Sequence, residues 1–187
     1  MAIRRLKDVI VAVCMLALGL LIAARLDQGH DGEVYGPFVA VDGDTLMGGG
    51  ERIRLAGLDA PELSQRCSID GREWPCGKVA RDALSDILQL RPELVCQAEG
   101  HDRYGRRLAR CRDADYDLGQ ALVSHGMALA YGRYSGEERQ ARIAGRGIWA
   151  GTFLRPDDFR RQHGDVDGGA DWMLLMWNWL KAIMGGV

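Results

Sequence analysis

Lysine is nearly missing from this sequence: it occurs only at Lys7, Lys78 and Lys181, within a basic total of 24 residues. The formal net charge of -2 excludes a broad basic coat that grips a polyanion by bulk electrostatics. Such a partner would have to be held by local arginines, whose planar forks suit bidentate contact with phosphate or carboxylate. A G+C-rich genome would produce the same arginine bias. No C-x-x-C occurs, and His30, His101, His125 and His163 lack zinc-ligand spacing, which argues against a zinc centre. No internal repeat is present. Disorder is excluded by composition, since 47% of the residues are hydrophobic and 27% charged. The 187 residues suffice for one domain of ordinary size with short appendages.

The appendages are at the ends. Arg4, Arg5 and Lys7 precede an uncharged apolar run from Val9 to Ala24, closed by Arg25, which is the pattern of a signal peptide or N-terminal anchor. As a helix the run would measure about 24 Å, a little short of the ~30 Å hydrocarbon core, a gap that snorkelling and local thinning can close. Leu21 and Ile22 make a poor small-x-small cleavage site, which favours an uncleaved anchor. Residues 1–25 are therefore expected to be a membrane anchor or signal, with the body on the far side of the membrane, or secreted if the segment is cleaved. Residues 26–34 read as a linker and 35–163 as the body. Residues 164–187 combine a Gly/Asp linker with a tail, Trp172 to Met184, suited either to a membrane interface or to docking as a terminal helix.

Cys14 lies in the apolar run and counts as a small hydrophobe. Cys67, Cys76, Cys96 and Cys111 form an even set in the body, for which an oxidising compartment predicts two disulfides. Four cysteines allow three connectivities. The local pairing, Cys67–Cys76 and Cys96–Cys111, is favoured because each pair flanks a compact element, the second a hairpin. Elsewhere, Pro37 to Val41 and Arg52 to Ala56 alternate as strands around a Gly48-Gly-Gly50 turn. Helices are expected from Pro75 to Leu88, from an Asp117 cap to Gly126, and from a Ser135–Glu138 capping box to Arg146. Short strands with interposed helices point to an α+β domain on a small barrel.

Three stretches concentrate polar chemistry: Asp42-Gly-Asp44-Thr45, Arg54-Leu-Ala-Gly-Leu-Asp59-Ala-Pro-Glu62, and Asp102-Arg-Tyr104-Gly-Arg106. Singly, each has a plain explanation as turn chemistry or solvated ion pairs. Together, in order and spacing, they resemble the staphylococcal-nuclease (thermonuclease) family. Leu122-Val-x-x-Gly126-x-Ala128 and Gly147-Ile-Trp149 extend the likeness, which runs from about Tyr35 to Trp149. It is similar to an exported bacterial branch whose additional cysteines form disulfides, and Thr152 to Arg160 resembles that branch's tail.

The resemblance implies an OB-fold five-stranded barrel with about three helices, behind the N-terminal transmembrane or signal segment. It implies a Ca2+-dependent nuclease that cuts DNA and/or RNA with little sequence preference and leaves 3′-phosphates. Asp44, Asp59 and the Thr45 carbonyl would bind the metal. Glu62 would act on the attacking water, Arg54 and Arg106 would clamp the phosphate, and Tyr104 and Tyr131 would flank the nucleotide. No protein partner is implied beyond the nucleic-acid substrate and the membrane. Two departures stand out: Ala60 where the family often has Thr, and a charge far less basic than in the best-known members. The competing readings are a non-catalytic nucleic-acid-binding module and an envelope or exopolysaccharide membrane protein with a vestigial site.

Overall fold

The computed structural model describes residues 10–21, 32–102 and 104–163. The chain divides into two units, Met1–Asp31 and Gly32–Val187. In the first, residues 10–21 form an exposed helix, α1. Among the described residues no helix is long and apolar enough to cross a membrane. The Arg4/Arg5/Lys7 flank, most of the 26–34 linker and the tail from Gly164 lie outside the described residues.

In the second unit the strands are β1 (Glu33–Tyr35), β2 (Val39–Ala40), β3 (Thr45–Gly48), β4 (Glu51–Leu55), β5 (Leu58–Asp59), β6 (Cys67–Ile69), β7 (Arg72–Trp74), β8 (Val95–His101), β9 (Arg107–Asp113), β10 (Tyr116–Asp117) and β11 (Leu129–Ala130). Helices are α2 (Cys76–Leu90), α3 (Leu118–Ser124), α4 (Ser135–Ile143) and α5 (Pro156–His163), with a 3-10 turn at Gly147–Ala150. The main sheet runs β1-β8-β9-β4-β3-β2, with β10 also on β9. Only β4 and β9 pair in parallel; the other ladders of this sheet are antiparallel.

This sheet corrects the expected closed five-stranded barrel. Its path is open, ending on the short β1 and β2, which Gly36-Pro37 separates. Proline has no N–H to give a ladder, and α2 packs against β2 in place of another strand. The fold is α+β with a mixed sheet, and α5 adds to the three helices expected of the body.

The β3–β4 hairpin turns where the glycines predict. Gly49 and Gly50 have φ of +59° and +82°, the left-handed pair that a two-residue turn requires. Its register sets Leu46 opposite Ile53, both wholly buried, and Thr45 opposite Arg54. Truncating such a core side chain to Ala costs ~2–5 kcal/mol. Leu84, Leu94, Leu118 and Leu122 complete the same core.

The two disulfides form as expected, Cys67–Cys76 and Cys96–Cys111. Cys96 and Cys111 are directly opposed across β8 and β9, although these strands run past the cysteines toward His101 and from Arg107. Closing such loops contributes about 2–4 kcal/mol each in the chain-entropy account.

Asp117 caps α3 by accepting the Gln120 N–H at 3.0 Å. It also accepts from the Tyr134 hydroxyl at 2.9 Å and from Arg110 at 2.7 Å. The Ser135–Glu138 capping box does not form. Tyr134, at φ +61°, precedes the helix without a side-chain cap, and the Glu138 carboxylate instead accepts the Ala130 N–H at 2.6 Å. A β-strand donor has taken the acceptor that the box would have used.

Burial alone would raise the Asp117 pKa, but hydrogen bonds from Gln120, Tyr134 and Arg110 together hold it below the usual carboxylate value. A depressed folded pKa gives stability that is complete above the unfolded value, near 3.9, and is lost as pH falls through the folded one. Asp117→Asn should therefore be less stable than wild type at pH 7, and the gap should narrow below about pH 4. Urea denaturation across that range measures it; a constant gap would contradict the assignment.

Candidate active site

The β3–β4 register places Asp44, just before β3, beside Arg54 on β4, and the chain beyond β4 turns back through β5 to bring Asp59 alongside. One guanidinium joins all three: Arg54 Nη1 donates to Asp44 Oδ1 at 2.7 Å and Nη2 to Asp59 Oδ1 at 2.6 Å. Asp44 is nearly inaccessible, its side chain 5% exposed. Its other oxygen accepts the Ala60 N–H at 3.0 Å, and Oδ1 also accepts the Thr45 hydroxyl at 3.1 Å. Burial alone would lower the Arg54 pKa, but Asp44, Asp59 and Asp42 raise it and keep the guanidinium charged.

The loop Ala60-Pro-Glu62 is fixed from beneath. Buried Gln65 accepts the Glu62 N–H at 3.2 Å through Oε1 and donates at 2.7 Å through Nε2 to the Leu154 carbonyl. Gly77, in the first turn of α2, approaches so closely that a Cβ there would stand 1.7 Å from the Glu62 carbonyl oxygen. Cys67–Cys76 ties β6 to the start of that helix.

Arg106 sits at the β8–β9 hairpin end. Asp102 organises the turn, accepting the backbone N–H groups of Tyr104 at 2.8 Å and Arg106 at 2.9 Å, and the Arg106 Nε at 2.7 Å. The Arg106 side chain remains 38% exposed, so it can meet a ligand. Arg54, Asp59, Glu62, Tyr104, Arg106 and Tyr131 line one open cleft of about 750 Å³. Tyr104 and Tyr131 are 60% and 75% exposed, with the Arg106 guanidinium over the Tyr104 ring at 5.5 Å.

One predicted ligand does not have the geometry expected of it. The Thr45 carbonyl accepts the N–H groups of Val41 at 2.8 Å and Asp42 at 3.3 Å, so both of its lone pairs are engaged within the turn. Asp44 and Asp59 remain as carboxylate donors. Among the described residues, no three His, Cys, Asp or Glu side chains are grouped to hold a metal by themselves. A cation on this pair would complete its shell with backbone oxygen and water, as Ca2+ tolerates. Asp44 and Asp59 pair with Arg54, and Asp59 and Glu62 with Arg160. Asp42, which lines the cleft, is pushed up to about 7 by burial and then by the Asp44 carboxylate.

Arg160 was not foreseen. It reaches in from α5 and donates to Asp59 Oδ1 at 3.1 Å, to Asp59 Oδ2 at 3.0 Å, and to Glu62. The helix itself carries a signal the sequence reading passed over. Pro156 opens it, Asp157 and Asp158 fill its first turn, and Arg160, Arg161 and His163 its last. That order complements the helix dipole. Nothing in the local spacing points Arg160 at residues 101 and 98 positions earlier.

The sequence model described as "Staphylococcal nuclease homologue" matches residues 52–151. The chain is similar to the succinoglycan biosynthesis protein ExoI of Rhizobium meliloti, at 34% identity over 71% of this chain and 74% of that protein. An uncharacterized endonuclease of Haemophilus influenzae is 32% identical over 65% of this chain and 69% of its own length. The micrococcal nuclease of Shigella flexneri is 34% identical over 53% of this chain and 61% of its own.

The contact at Gly77 is with backbone, which cannot swing aside. Gly77→Ala should lower stability by ~1–3 kcal/mol, the range for forced overpacking, and displace Glu62. Gly136→Ala, on α4 with nothing within 4 Å, is the control and should change little. Equal stabilities of both variants in urea would show that the Gly77 contact does not hold the loop.

Proposed function

The chain belongs to the family of staphylococcal nuclease homologues, and from that premise we propose that it is a Ca2+-dependent nuclease hydrolysing DNA and/or RNA with little sequence preference. The observation that carries this reading is the convergence of Arg54, Asp59, Glu62 and Arg106 on one cleft, with buried Asp44 held behind it on Arg54. Binding alone would not call for buried carboxylates beside the phosphate site, since they repel a polyanion. That argues against the non-catalytic binding module.

Ca2+ on Asp44 and Asp59 would supply Lewis-acid polarisation of a phosphoryl oxygen. Arg54 holds both carboxylates at fixed spacing, so their arrangement need not be built when the ligand arrives. Glu62 accepts the proton of the attacking water, or orients that water, from a loop locked by Gln65 and Gly77. Arg106, fixed by Asp102 through Nε, directs the rest of its guanidinium at the phosphate, where negative charge grows in the transition state. Cleavage to a 3′-phosphate breaks the bond from phosphorus to the 5′ oxygen, which leaves as a hydroxyl. Tyr104 and Tyr131 offer rings for the bases on either side.

The two disulfides favour an oxidising compartment, and the positively flanked apolar run favours export with the body tethered outside the cytoplasm. A second reading, a part in exopolysaccharide biology, draws support from the likeness to a protein named for succinoglycan biosynthesis.

Purified protein should degrade DNA or RNA with Ca2+ and cease with chelator. Glu62→Gln and Arg106→Gly should each lower turnover by about 10²–10³ while remaining folded, the usual cost of losing a preorganised transition-state contact. Intact nucleic acid at all Ca2+ concentrations would end the enzyme reading, and a wild-type rate for Arg106→Gly would end its residue assignments.

A further inference from the structure

Asp59 is claimed twice. Its Oδ1 accepts from both Arg54, at 2.6 Å, and Arg160, at 3.1 Å, and its Oδ2 accepts from Arg160 at 3.0 Å. Arg160 also pairs with Glu62, so one guanidinium spans the proposed cation ligand and the proposed acceptor of the water's proton. The two arginines are held differently. Arg54 is part of a sheet strand and 16% exposed, whereas Arg160 stands on a short helix near the chain's end and is 27% exposed. Gln65 ties the segment before α5 to the Glu62 loop through the Leu154 carbonyl, which fixes the base of the Arg160 side chain beside its partners. Arg155, just before α5, and Arg161 line the same cleft, both paired with Asp157, which lines it too.

A divalent cation on Asp59 would meet the positive charge of Arg160 at close range and compete with it for the same oxygens. A phosphodiester entering the cleft would offer a guanidinium fork an acceptor pair of the kind a carboxylate offers. Resting on the nuclease reading above, we propose that Arg160 is a substrate-contacting arginine that exchanges its pairing with Asp59 and Glu62 for the nucleic-acid phosphate when cation and substrate bind together. The exchange removes Arg160 from Glu62 and couples the two ligands: each relieves a cost that the other alone must bear.

The coupling gives opposite signs in one variant. Isothermal titration calorimetry on the full chain would measure Ca2+ alone, and then a phosphorothioate DNA oligonucleotide in the presence of Ca2+. Arg160→Gln should bind Ca2+ alone more tightly, by about 5–100-fold, and the oligonucleotide more weakly by a similar factor. Arg160→Lys keeps the charge without the fork and should fall between the two on both measurements. A merely structural arginine would weaken both affinities together, and that result, or unchanged Ca2+ affinity in both variants, overturns the proposal. If neither wild type nor Arg160→Gln binds Ca2+, with or without the oligonucleotide, the nuclease reading falls and takes this inference with it. If wild type binds Ca2+ and the variants bind it no more tightly, only the role of Arg160 falls.

Discussion

Everything at the site depends on a single guanidinium held between two carboxylates. Asp44 and Asp59 are 15 positions apart in sequence, and both sit largely out of water. Without Arg54 their mutual repulsion would force the β3 turn and the β5 loop apart, or force protonation. Removing one partner from such a buried network typically costs ~3–5 kcal/mol, because the remaining charges stay buried and uncompensated. Arg54 therefore has a structural role beside the phosphate-clamping one proposed for it, and its loss is the hardest to interpret. The sheet supplies the precision: the Gly49-Gly50 turn fixes the register that sets Thr45 opposite Arg54.

Around that pair, the remaining functional groups are delivered by loops, and each loop has its own restraint. The Glu62 loop rests on Gly77 and Gln65, with Cys67–Cys76 closing the base of the helix that carries Gly77. The Arg106 turn is folded about Asp102 at one end of a hairpin whose other end is stapled by Cys96–Cys111. Both disulfides thus lie on the elements that position reacting groups. Loops are where local opening begins, and a cross-link at the root of each reduces the freedom of its tip.

Much of this was legible in the sequence because it is encoded locally. Arg54, Asp59 and Glu62 fall on β4, on β5 and just beyond it, within nine consecutive residues, so the family resemblance could relate them through one short motif. The hairpin disulfide and the Asp117 cap were likewise readable from neighbours in sequence. What was not read depended on partners outside each motif. Glu138 is drawn from its capping box by a β11 donor, and Arg160 finds its acceptors across about half the chain. The closed barrel was a family expectation; the short β1 and β2 leave the sheet open.

The account reduces to one spatial claim: a cation held by Asp44 and Asp59 lies beside a phosphate held by arginines. A crystal structure grown with Ca2+ and a phosphorothioate oligonucleotide tests it directly. The account predicts one Ca2+ at about 2.3–2.6 Å from a carboxylate oxygen of each aspartate, with Arg106 on the adjoining phosphate and Glu62 facing its phosphorus through water. Ca2+ bound away from Asp44 and Asp59, or an oligonucleotide lying on another face of the sheet, would contradict it.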